Sequence, residues 1–373
     1  MSDKNVLGLI FSNLHDESII DITRRRTMGS VLFGGRYRLI DFPLSAMVNS
    51  GVNEVGVITK KNYQSLLDHL GNGREWDMSR KNGGLHLLPP FSHNQDGIYR
   101  GRLEALYGVW EFVLRSNADY ILLSDCDVVA NMEYDKIIDT HISSGADITA
   151  VYAKGTVRMD ESHANTVFGV ANDGRIADVL INPELSGDSN ISLNTFVIGM
   201  KLLKNIVMHA QPRNLYDFER DVLQARVREL IIKGYEYTDY YSKISSIQSY
   251  FEANLALLNT KNRHALFPDD RPIYTKVRDN PPAKYGVTAS VKNSLIGDGC
   301  IVDGTVENCI LFRGVKIGAG TSLKNCIIMQ DSIIGKKCAL ENVITDKKVI
   351  ISDGRLLTGS SRCPLFLAKE SEI

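Results

Sequence analysis

Two patterns of hydrophobic and polar positions divide the chain. Up to about residue 265, short runs rich in apolar and β-branched residues alternate with longer helical stretches. Residues 6–11, 55–59 and 120–123 are largely apolar, which is typical of strands buried on both faces of a parallel sheet. Between the last two runs, apolar residues recur at helical spacing from Leu103 to Leu114, which predicts one amphipathic helix. Strand–helix–strand alternation predicts an open, mostly parallel α/β sheet.

One acidic residue stands where such a sheet binds its ligands. Asp125 directly follows the run at 120–123. Ligands of open α/β sheets lie beyond the carboxyl ends of the strands. A further helix is predicted to end at Ser144, where Gly145 can take the left-handed conformation, before a strand at 147–152. The pattern therefore places Asp125 in a candidate pocket.

A different, repetitive pattern fills the C-terminal part. One phrase of alternating apolar and polar residues occurs four times, starting at Val291, Val306, Leu323 and Leu340, with spacings of 15, 17 and 17 residues. An apolar residue at every sixth position, with glycines at the corners, indicates a left-handed parallel β-helix of hexapeptide repeats. One asparagine recurs in each copy and is predicted to stack on the next: Asn293, Asn308, Asn325 and Asn342.

Proline marks the boundary between the two patterns. Four of the ten prolines fall within residues 267–286, which predicts a linker. We therefore predict an α/β domain at 1–266, a linker at 267–286 and a β-helix domain at 287–373.

The composition narrows the class of protein. The formal net charge is −1, with 43% hydrophobic and 23% charged residues, as in an ordinary globular protein. No long basic stripe suggests a nucleic-acid partner, and no apolar run approaches the ~20 residues of a membrane span. The six cysteines contain no C-x-x-C pair, which favours a reducing compartment. No signal peptide is visible at the N-terminus, so we expect a cytoplasmic protein without a membrane partner.

Several motifs of the first domain resemble those of one enzyme family. They are the stretch LFGGRYRLIDFPLS at 32–45, NSGV at 49–52, the segments 83–90 and 99–101, FGV at 168–170 and SYFEAN at 249–254. Together they resemble ADP-glucose pyrophosphorylases (glucose-1-phosphate adenylyltransferases) over about residues 6–360. The resemblance implies a Rossmann-like nucleotidyltransferase domain. Active members join glucose 1-phosphate to ATP and release pyrophosphate and ADP-glucose for glycogen synthesis.

The phosphate-binding turn of that family is missing from this chain. Active relatives carry Gly-Gly-x-Gly-Thr-Arg after the first strand, where glycines let backbone N–H groups close on phosphate. Here residues 12–18 read SNLHDES. No glycine remains, and Asp16 and Glu17 would repel a phosphate. The substitution predicts loss of nucleotide turnover.

The other positions that the family's reaction needs have also changed. The lysine on the reacting phosphates corresponds to Met28, and the lysine for the sugar phosphate corresponds to Asn182. The resemblance implies two aspartates that bind magnesium. The first is retained as Asp125, and Lys243 stands at the position of the second. An ammonium about 4 Å from Mg²⁺ costs roughly 8 kcal/mol at an effective dielectric near 20. Glu104 stands for the aspartate of the motif Gly-Thr-Ala-Asp. We therefore predict no catalytic residues, no metal and no cofactor, and only a vestigial pocket with Asp125 and Glu104.

A separate set of arginines matches effector positions of the family. Arg25, within the dense cluster 24–26, aligns with an effector-binding lysine, Arg38 aligns with another basic position, and Arg355 of the last repeat with a third. Arginine suits bidentate contact with phosphate. We therefore predict a phosphorylated metabolite as effector, with a solvated surface cluster as the alternative.

The resulting prediction is a non-catalytic regulatory subunit that forms a hetero-oligomer, a heterotetramer, with a catalytic subunit of the same family. The principal alternative is a weakly active adenylyltransferase with a phosphate cradle that the sequence does not reveal. Asp125-Cys126-Asp127 also fits the D-x-D of glycosyltransferases, although a single D-x-D arises often by chance. A β-helix acyltransferase usually needs a histidine on its coils, and none follows His264. A scaffold without any ligand is the remaining alternative.

Overall fold

A computed structural model of the chain describes residues 4–90, 99–158, 165–184 and 186–373. The chain folds into an α/β domain followed by a parallel β-helix, as the two sequence patterns predict. None of the helices within the described ranges combines the length and the apolar character needed to cross a membrane.

The α/β domain is built around one large twisted sheet. The strands of the domain, in chain order, are β1 (Val6–Phe11), β2 (Leu32–Phe33), β3 (Tyr37–Arg38), β4 (Glu54–Ile58), β5 (Gly84–Leu88), β6 (Tyr120–Asp125), β7 (Val128–Ala130), β8 (Ile148–Val157), β9 (Thr166–Val170), β10 (Ile176–Ile181), β11 (Gly187–Gly199), β12 (Ile232–Glu236) and β13 (Tyr241–Lys243). Among them, β2 pairs with β3 and β7 pairs with β13 in two separate two-stranded sheets. The large sheet has the order β10-β9-β11-β6-β1-β4-β5, and β8 joins β11 to β12.

The prediction of a mostly parallel sheet holds for one half of it. Strands β6, β1, β4 and β5 are parallel to one another, whereas β11 runs antiparallel to β6, β8 and β9. Phe11 and Asp125 are direct neighbours at the carboxyl ends of β1 and β6. The parallel half therefore carries the edge at which α/β sheets bind ligands.

Helices cover both faces of the sheet. They are α1 (Ile20–Thr23), α2 (Asp41–Asn49), α3 (Gln64–Leu70), α4 (Arg102–Gly108), α5 (Trp110–Arg115), α6 (Tyr134–Ser144), α7 (Met200–Ala210), α8 (Ile247–Leu255) and α9 (Thr260–Leu266). The single helix predicted from Leu103 to Leu114 is wrong, because the chain leaves helical geometry at Val109 after Gly108, a poor helix former. Gly145 ends α6 in the left-handed conformation, as predicted.

Fifteen short strands within the described residues form the coils of the β-helix. They are β14 (Lys284–Tyr285), β15 (Ser290–Lys292), β16 (Leu295–Ile296), β17 (Ile301–Val302), β18 (Thr305–Glu307), β19 (Ile310–Leu311), β20 (Lys316–Ile317), β21 (Ser322–Lys324), β22 (Ile327–Ile328), β23 (Ile333–Ile334), β24 (Ala339–Glu341), β25 (Val343–Thr345), β26 (Ile350–Ile351), β27 (Leu356–Thr358) and β28 (Leu365–Leu367). Every third strand pairs in parallel, giving three five-stranded sheets. Lys284 and Tyr285, inside the predicted linker, already pair with Ile301 and Val302.

The recurring asparagines occupy one corner of successive coils. All four have a positive φ between 42° and 52°, a conformation that asparagine tolerates better than most residues. Asn293 donates to the side-chain oxygen of Asn308 at 2.7 Å, and Asn325 donates to Asn342 at 3.3 Å. The predicted stacking is therefore confirmed for these two pairs, and all four asparagines occupy the same corner of their coils.

One face of the β-helix packs against the α/β domain. Ile310, Ile327 and Ile344, which lie at the same position of three successive coils, belong to the same buried cluster as Phe33 and Tyr250 of the first domain. All five are fully buried. One buried cluster therefore spans the boundary between the domains, whereas the inside of the coils forms a hydrophobic cluster of its own.

A buried ion pair also joins the two domains. Arg26 donates from one terminal nitrogen to both carboxylate oxygens of Asp346, each at 2.7 Å, and the two side chains are 3% and 5% exposed. The turn before β2 is thereby tied to the turn after β25.

Candidate functional site

The pocket predicted around Asp125 lies at the carboxyl ends of β1 and β6. Residues 12–18 follow β1 and form a short 3₁₀ turn at Asp16–Ile19, while the segment after β6 carries Asp127. A register shift in β11 between Ser192 and Phe196 leaves Asn194 with φ +52°. Its side-chain amide donates to Asp127 at 2.8 Å. Three separate segments therefore converge on the two aspartates.

The carboxylate of Asp125 is fully occupied by basic side chains. Arg102, the first residue of α4, donates to both oxygens at 2.6 and 3.0 Å. The Nε2 atom of His15 lies 2.7 Å from one of these oxygens. Burial alone would raise the pKa of Asp125, but Arg102 and His15 outweigh burial and lower it. Asp125 is therefore an ionised, internally paired carboxylate.

The guanidinium of Arg102 is held from several sides. Besides Asp125, it donates to Glu219 at 2.8 Å. Its central carbon lies 4.7 Å from the ring centre of Phe11 and 5.3 Å from that of Phe196, within the range of cation–π attraction. The side chain is only 2% exposed. Arg102 is thus a fixed element of the pocket floor.

His15 comes from the loop that replaces the family's glycine-rich turn. Its Nε2 atom also lies 3.7 Å from Asp127. Burial alone would lower the pKa of His15, but the carboxylates of Asp127 and Asp125 outweigh burial and raise it to about 9. His15 is therefore a cation at neutral pH and a second internal counter-ion.

The magnesium ion that the family resemblance implies does not fit these residues. The ligand atoms of His15, Asp125 and Asp127 lie within 4.8 Å of one another, the one grouping of this kind among the described residues. However, both oxygens of Asp125 already accept hydrogen bonds from Arg102. The position of the second magnesium carboxylate is Lys243. The carboxylates are neutralised by side chains instead.

Lys243 contributes less directly than its alignment suggested. Its ammonium donates to the backbone carbonyl of Ser192 at 3.1 Å. Burial lowers its pKa, and Asp127 and Asp125 oppose that effect. The contacts on Asp125 come from Arg102 and His15, which the sequence reading did not single out. The sequence does contain an indication for Arg102, because this arginine replaces the threonine of the family motif Gly-Thr-Ala-Asp.

The loop after β1 buries the carboxylate of Asp16, which accepts two hydrogen bonds. Asp16 accepts from the backbone N–H of Met28 at 2.7 Å and from the side-chain amide of Asn13 at 2.6 Å. Burial raises the pKa of Asp16 to about 6, against the effect of those two hydrogen bonds. In a glycine-rich turn, backbone N–H groups of this kind face a phosphate oxygen. Here the loop instead contributes a buried carboxylate, which the side-chain amide of Asn13 and the backbone N–H of Met28 hold in place.

The remaining predicted pocket residues lie apart from Asp125. Glu104 forms an ion pair with Arg100 at 2.9 Å and is 36% exposed. Within the described part of the chain, no hydrogen bond or ion pair joins Glu104 to Asp125. Asn182, at the end of β10, has φ +49° and donates its backbone N–H to Asn165. The predicted constellation thus reduces to Asp125 with its two internal cations.

A second cluster of basic residues lies at the junction of the domains, beside the Arg26–Asp346 pair. The second terminal nitrogen of Arg26 is buried without a hydrogen-bond partner. Burial, with Arg26 and Arg278 nearby, lowers the pKa of Arg38 to about 10 although Asp41 opposes the shift. Burial also lowers the pKa of Lys347 to about 7, helped by Arg38, Arg26 and Arg278. We name these four basic residues the junction cluster: Arg26, Arg38, Arg278 and Lys347.

The three predicted effector residues have different surroundings. Arg38 is 6% exposed and donates to the side-chain hydroxyl of Ser65 at 3.0 Å. Arg25 is exposed and lies 3.4 Å from Glu370, whose backbone N–H donates to the carbonyl of Lys347. Arg25 therefore lies at the rim of the junction cluster. Arg355 is exposed in the turn between β26 and β27, and none of its described contacts reaches the cluster.

Comparisons with known proteins place this architecture in a family. Residues 17–260 match the model of the nucleotidyl transferase family. Residues 281–359 match the model of the GlmU-like, C-terminal hexapeptide family. The predicted nucleotidyltransferase domain with a C-terminal β-helix is thereby confirmed.

Curated relatives are similar over most of the chain. The glycogen biosynthesis protein GlgD of Bacillus subtilis (strain 168) is 36% identical over 370 residues, which cover 99% of this chain and 97% of the relative. The glucose-1-phosphate adenylyltransferase of Pseudothermotoga lettingae is 34% identical over 324 residues, 84% of this chain and 75% of that enzyme. That of Clostridium perfringens is 32% identical over 330 residues, 87% and 84% of the two chains. The chain therefore belongs to the nucleotidyl transferase family, in the group formed by glucose-1-phosphate adenylyltransferases and GlgD.

Proposed function

We propose that the protein is a non-catalytic regulatory subunit of glucose-1-phosphate adenylyltransferase in glycogen biosynthesis. The carrying observation is the pairing of Asp125 with Arg102 and His15, at 2.6 to 3.0 Å. A carboxylate held in this way has no free oxygen for a metal–nucleotide complex. The similarity to GlgD over nearly the whole chain supports the assignment to glycogen biosynthesis.

The charge balance of the pocket argues in the same direction. Three basic groups, Arg102, His15 and Lys243, lie near three carboxylates, those of Asp125, Asp127 and Glu219. Catalysis of phosphoryl transfer needs cations directed at the phosphates of the substrate. Here the basic groups face carboxylates of the chain itself. A weakly active adenylyltransferase is the second candidate, favoured by the retained Asp125, and an activity assay separates the two.

The regulatory part of the proposal rests on the junction cluster. Four basic residues share one boundary between the domains, and Asp346 is the carboxylate in direct contact with Arg26. Burial first, and then the neighbouring basic groups, lower the pKa values of Arg38 and Lys347, and one nitrogen of Arg26 has no hydrogen-bond partner, so this boundary carries an excess of positive charge. An anion bound there would relieve that excess. We propose a phosphorylated metabolite as its occupant, with Arg25 at the rim.

We expect the chain to assemble with a catalytic subunit. Co-expressed with the glucose-1-phosphate adenylyltransferase of its own organism, it should elute as one mixed oligomer. The reason is that Ile333 and Ile350, neighbours on one β-helix sheet, are each 41% exposed, and apolar surface of this kind favours association. Light scattering coupled to size exclusion measures the mass. Each chain expressed alone serves as control. Two separate peaks, each of one chain type, would exclude the partnership.

In the mixed oligomer, Lys347→Ala and Arg25→Ala should each raise the effector concentration for half-activation by about 5-fold or more, the lower end of typical allosteric coupling. Activation curves with each phosphorylated glycolytic intermediate measure it. Arg355→Ala is the matched control, since it removes an exposed arginine outside the junction cluster. A shift with Arg355→Ala alone would place the effector site on the last coil instead.

The same site should depend on pH in a defined direction. The pKa of Lys347 is about 7, so the ammonium is lost as the pH rises through 7. A bound phosphate stabilises the protonated form of Lys347, so above that pH the effector can bind only if Lys347 takes up a proton. The wild-type effector affinity should therefore fall between about pH 7 and 9, whereas Lys347→Ala should show a flatter profile.

A further inference from the structure

We infer that Arg102 is the residue that excludes divalent cations from the pocket, because its guanidinium donates to both oxygens of Asp125, the carboxylate that a metal ion would need. Replacing Arg102 by an uncharged side chain would leave His15, Asp125 and Asp127 as a binding site for a transition-metal ion of the Mn²⁺ class. This inference rests on the geometry of the pocket. It deepens the non-catalytic half of the proposed function and is independent of the regulatory half.

The position of the Arg102 guanidinium explains why a metal ion is excluded. It bridges Asp125 and Glu219, with three hydrogen bonds of 2.6, 3.0 and 2.8 Å. The rings of Phe11 and Phe196 lie against it. A fixed cation that holds two carboxylates is the arrangement a metal ion would otherwise provide, and a like charge beside it strongly opposes binding of a second cation. The chain therefore supplies its own counter-ion at this point.

The remaining side chains carry the second part of the inference. The ligand atoms of His15, Asp125 and Asp127 lie within 4.8 Å of one another, close enough to face a single ion. One oxygen of Asp127 is buried without a hydrogen-bond partner, so it is free to act as a ligand. An ion bound here would displace the Nε2 proton of His15 to solvent. The resulting imidazole and two carboxylates suit Mn²⁺, Co²⁺ or Zn²⁺ better than Mg²⁺, which prefers oxygen ligands and water. The latent site therefore differs in chemistry from a magnesium site built of aspartates alone.

The surroundings of Arg102 suggest how to remove its charge with little loss of packing. Methionine fills irregular space and makes favourable contacts with aromatic rings, so Arg102→Met keeps contact with Phe11 and Phe196. Asp125 would then be buried beside His15 alone. Arg102→Lys is the matched variant, since it keeps the charge and loses only the fork geometry.

The test measures Mn²⁺ binding to the full-length chain by electron paramagnetic resonance, together with thermal unfolding with and without Mn²⁺. Arg102→Met should bind Mn²⁺ at least about 30-fold more tightly than wild type, within the range of 10–100-fold that groups around a metal site contribute. Its unfolding temperature should rise with Mn²⁺ by linkage. Wild type and Arg102→Lys should show neither effect, and Arg102→Met with His15→Ala should lose both.

Each other outcome counts against the inference. Equal Mn²⁺ binding by wild type and Arg102→Met would mean that the guanidinium excludes nothing. Tight binding that survives His15→Ala would place the ion elsewhere. If Arg102→Met stays unfolded in both the presence and absence of Mn²⁺, the ion does not replace the guanidinium, and the inference fails. None of these measurements depends on enzymatic activity.

Discussion

Purified alone, the chain is expected to make no ADP-glucose from ATP, glucose 1-phosphate and Mg²⁺ above the uncatalysed background. The reason is the state of its pocket. Asp125 is bonded to Arg102 and His15, and the turn at 12–18 carries Asp16 and Glu17 but no glycine. The nucleotide therefore meets carboxylates where it needs donors, and a paired carboxylate where it needs a metal.

The expected effect is large. Removing one electrostatic contact to a transition state typically costs about 10²–10³ in rate. The turn at 12–18, Met28, Asn182 and Lys243 each depart from the pattern of active relatives. Such losses are not additive, but together they leave no group that we can assign to the transferring phosphate.

Radiolabelled glucose 1-phosphate with a coupled assay detects the product, and the catalytic subunit of the same organism is the positive control. Asp125→Asn is the matched variant of this chain. A turnover near 1 s⁻¹, the low end of typical enzymes, that is abolished in Asp125→Asn would establish the weakly active adenylyltransferase instead.

The second large effect concerns the ion pair between the domains. Arg26→Ala should lower the free energy of unfolding by about 3–5 kcal/mol, because it leaves the carboxylate of Asp346 buried and unpaired. The pair is 3% and 5% exposed, so solvent screens it little. Urea unfolding followed by fluorescence and circular dichroism measures the loss.

The neighbouring residue provides the control for this prediction. Arg25 pairs with Glu370 at 3.4 Å, with side chains 63% and 46% exposed, so Arg25→Ala should change stability by less than about 1 kcal/mol. Replacing both partners by apolar residues, Arg26→Met with Asp346→Leu, should recover most of the loss. A single variant Arg26→Ala as stable as Arg25→Ala would show that the pair contributes only orientation.

The features predictable from the sequence are those encoded locally. The β-helix can be predicted because its pattern repeats every 15–17 residues. The pairing of asparagines can be predicted because they stand at one position of that repeat. The strand ending at Asp125 was readable from a single apolar run. Local pattern did not reveal the break at Val109, where the apolar spacing continues although the helix does not.

The internal counter-ions were not predictable for the opposite reason. Arg102 and Asp125 are 23 positions apart, His15 and Asp125 are 110 apart, and Arg26 and Asp346 are 320 apart. Each pair depends on how separate segments meet in the folded chain. An arginine at the threonine position of the family motif, as at Arg102, indicates that a contact has changed. It does not indicate which residue the arginine contacts.

The buried cluster between the domains bears on what the linker separates. Ile310, Ile327 and Ile344 of the coils are buried with Phe33 and Tyr250 of the first domain, so melting either part would expose this apolar contact face of the other to water. Cooperative units are defined by such shared burial and not by changes of sequence pattern. The proline-rich segment thus separates two architectures that bury one apolar face against each other, and cutting the chain there would yield two fragments that each expose that face.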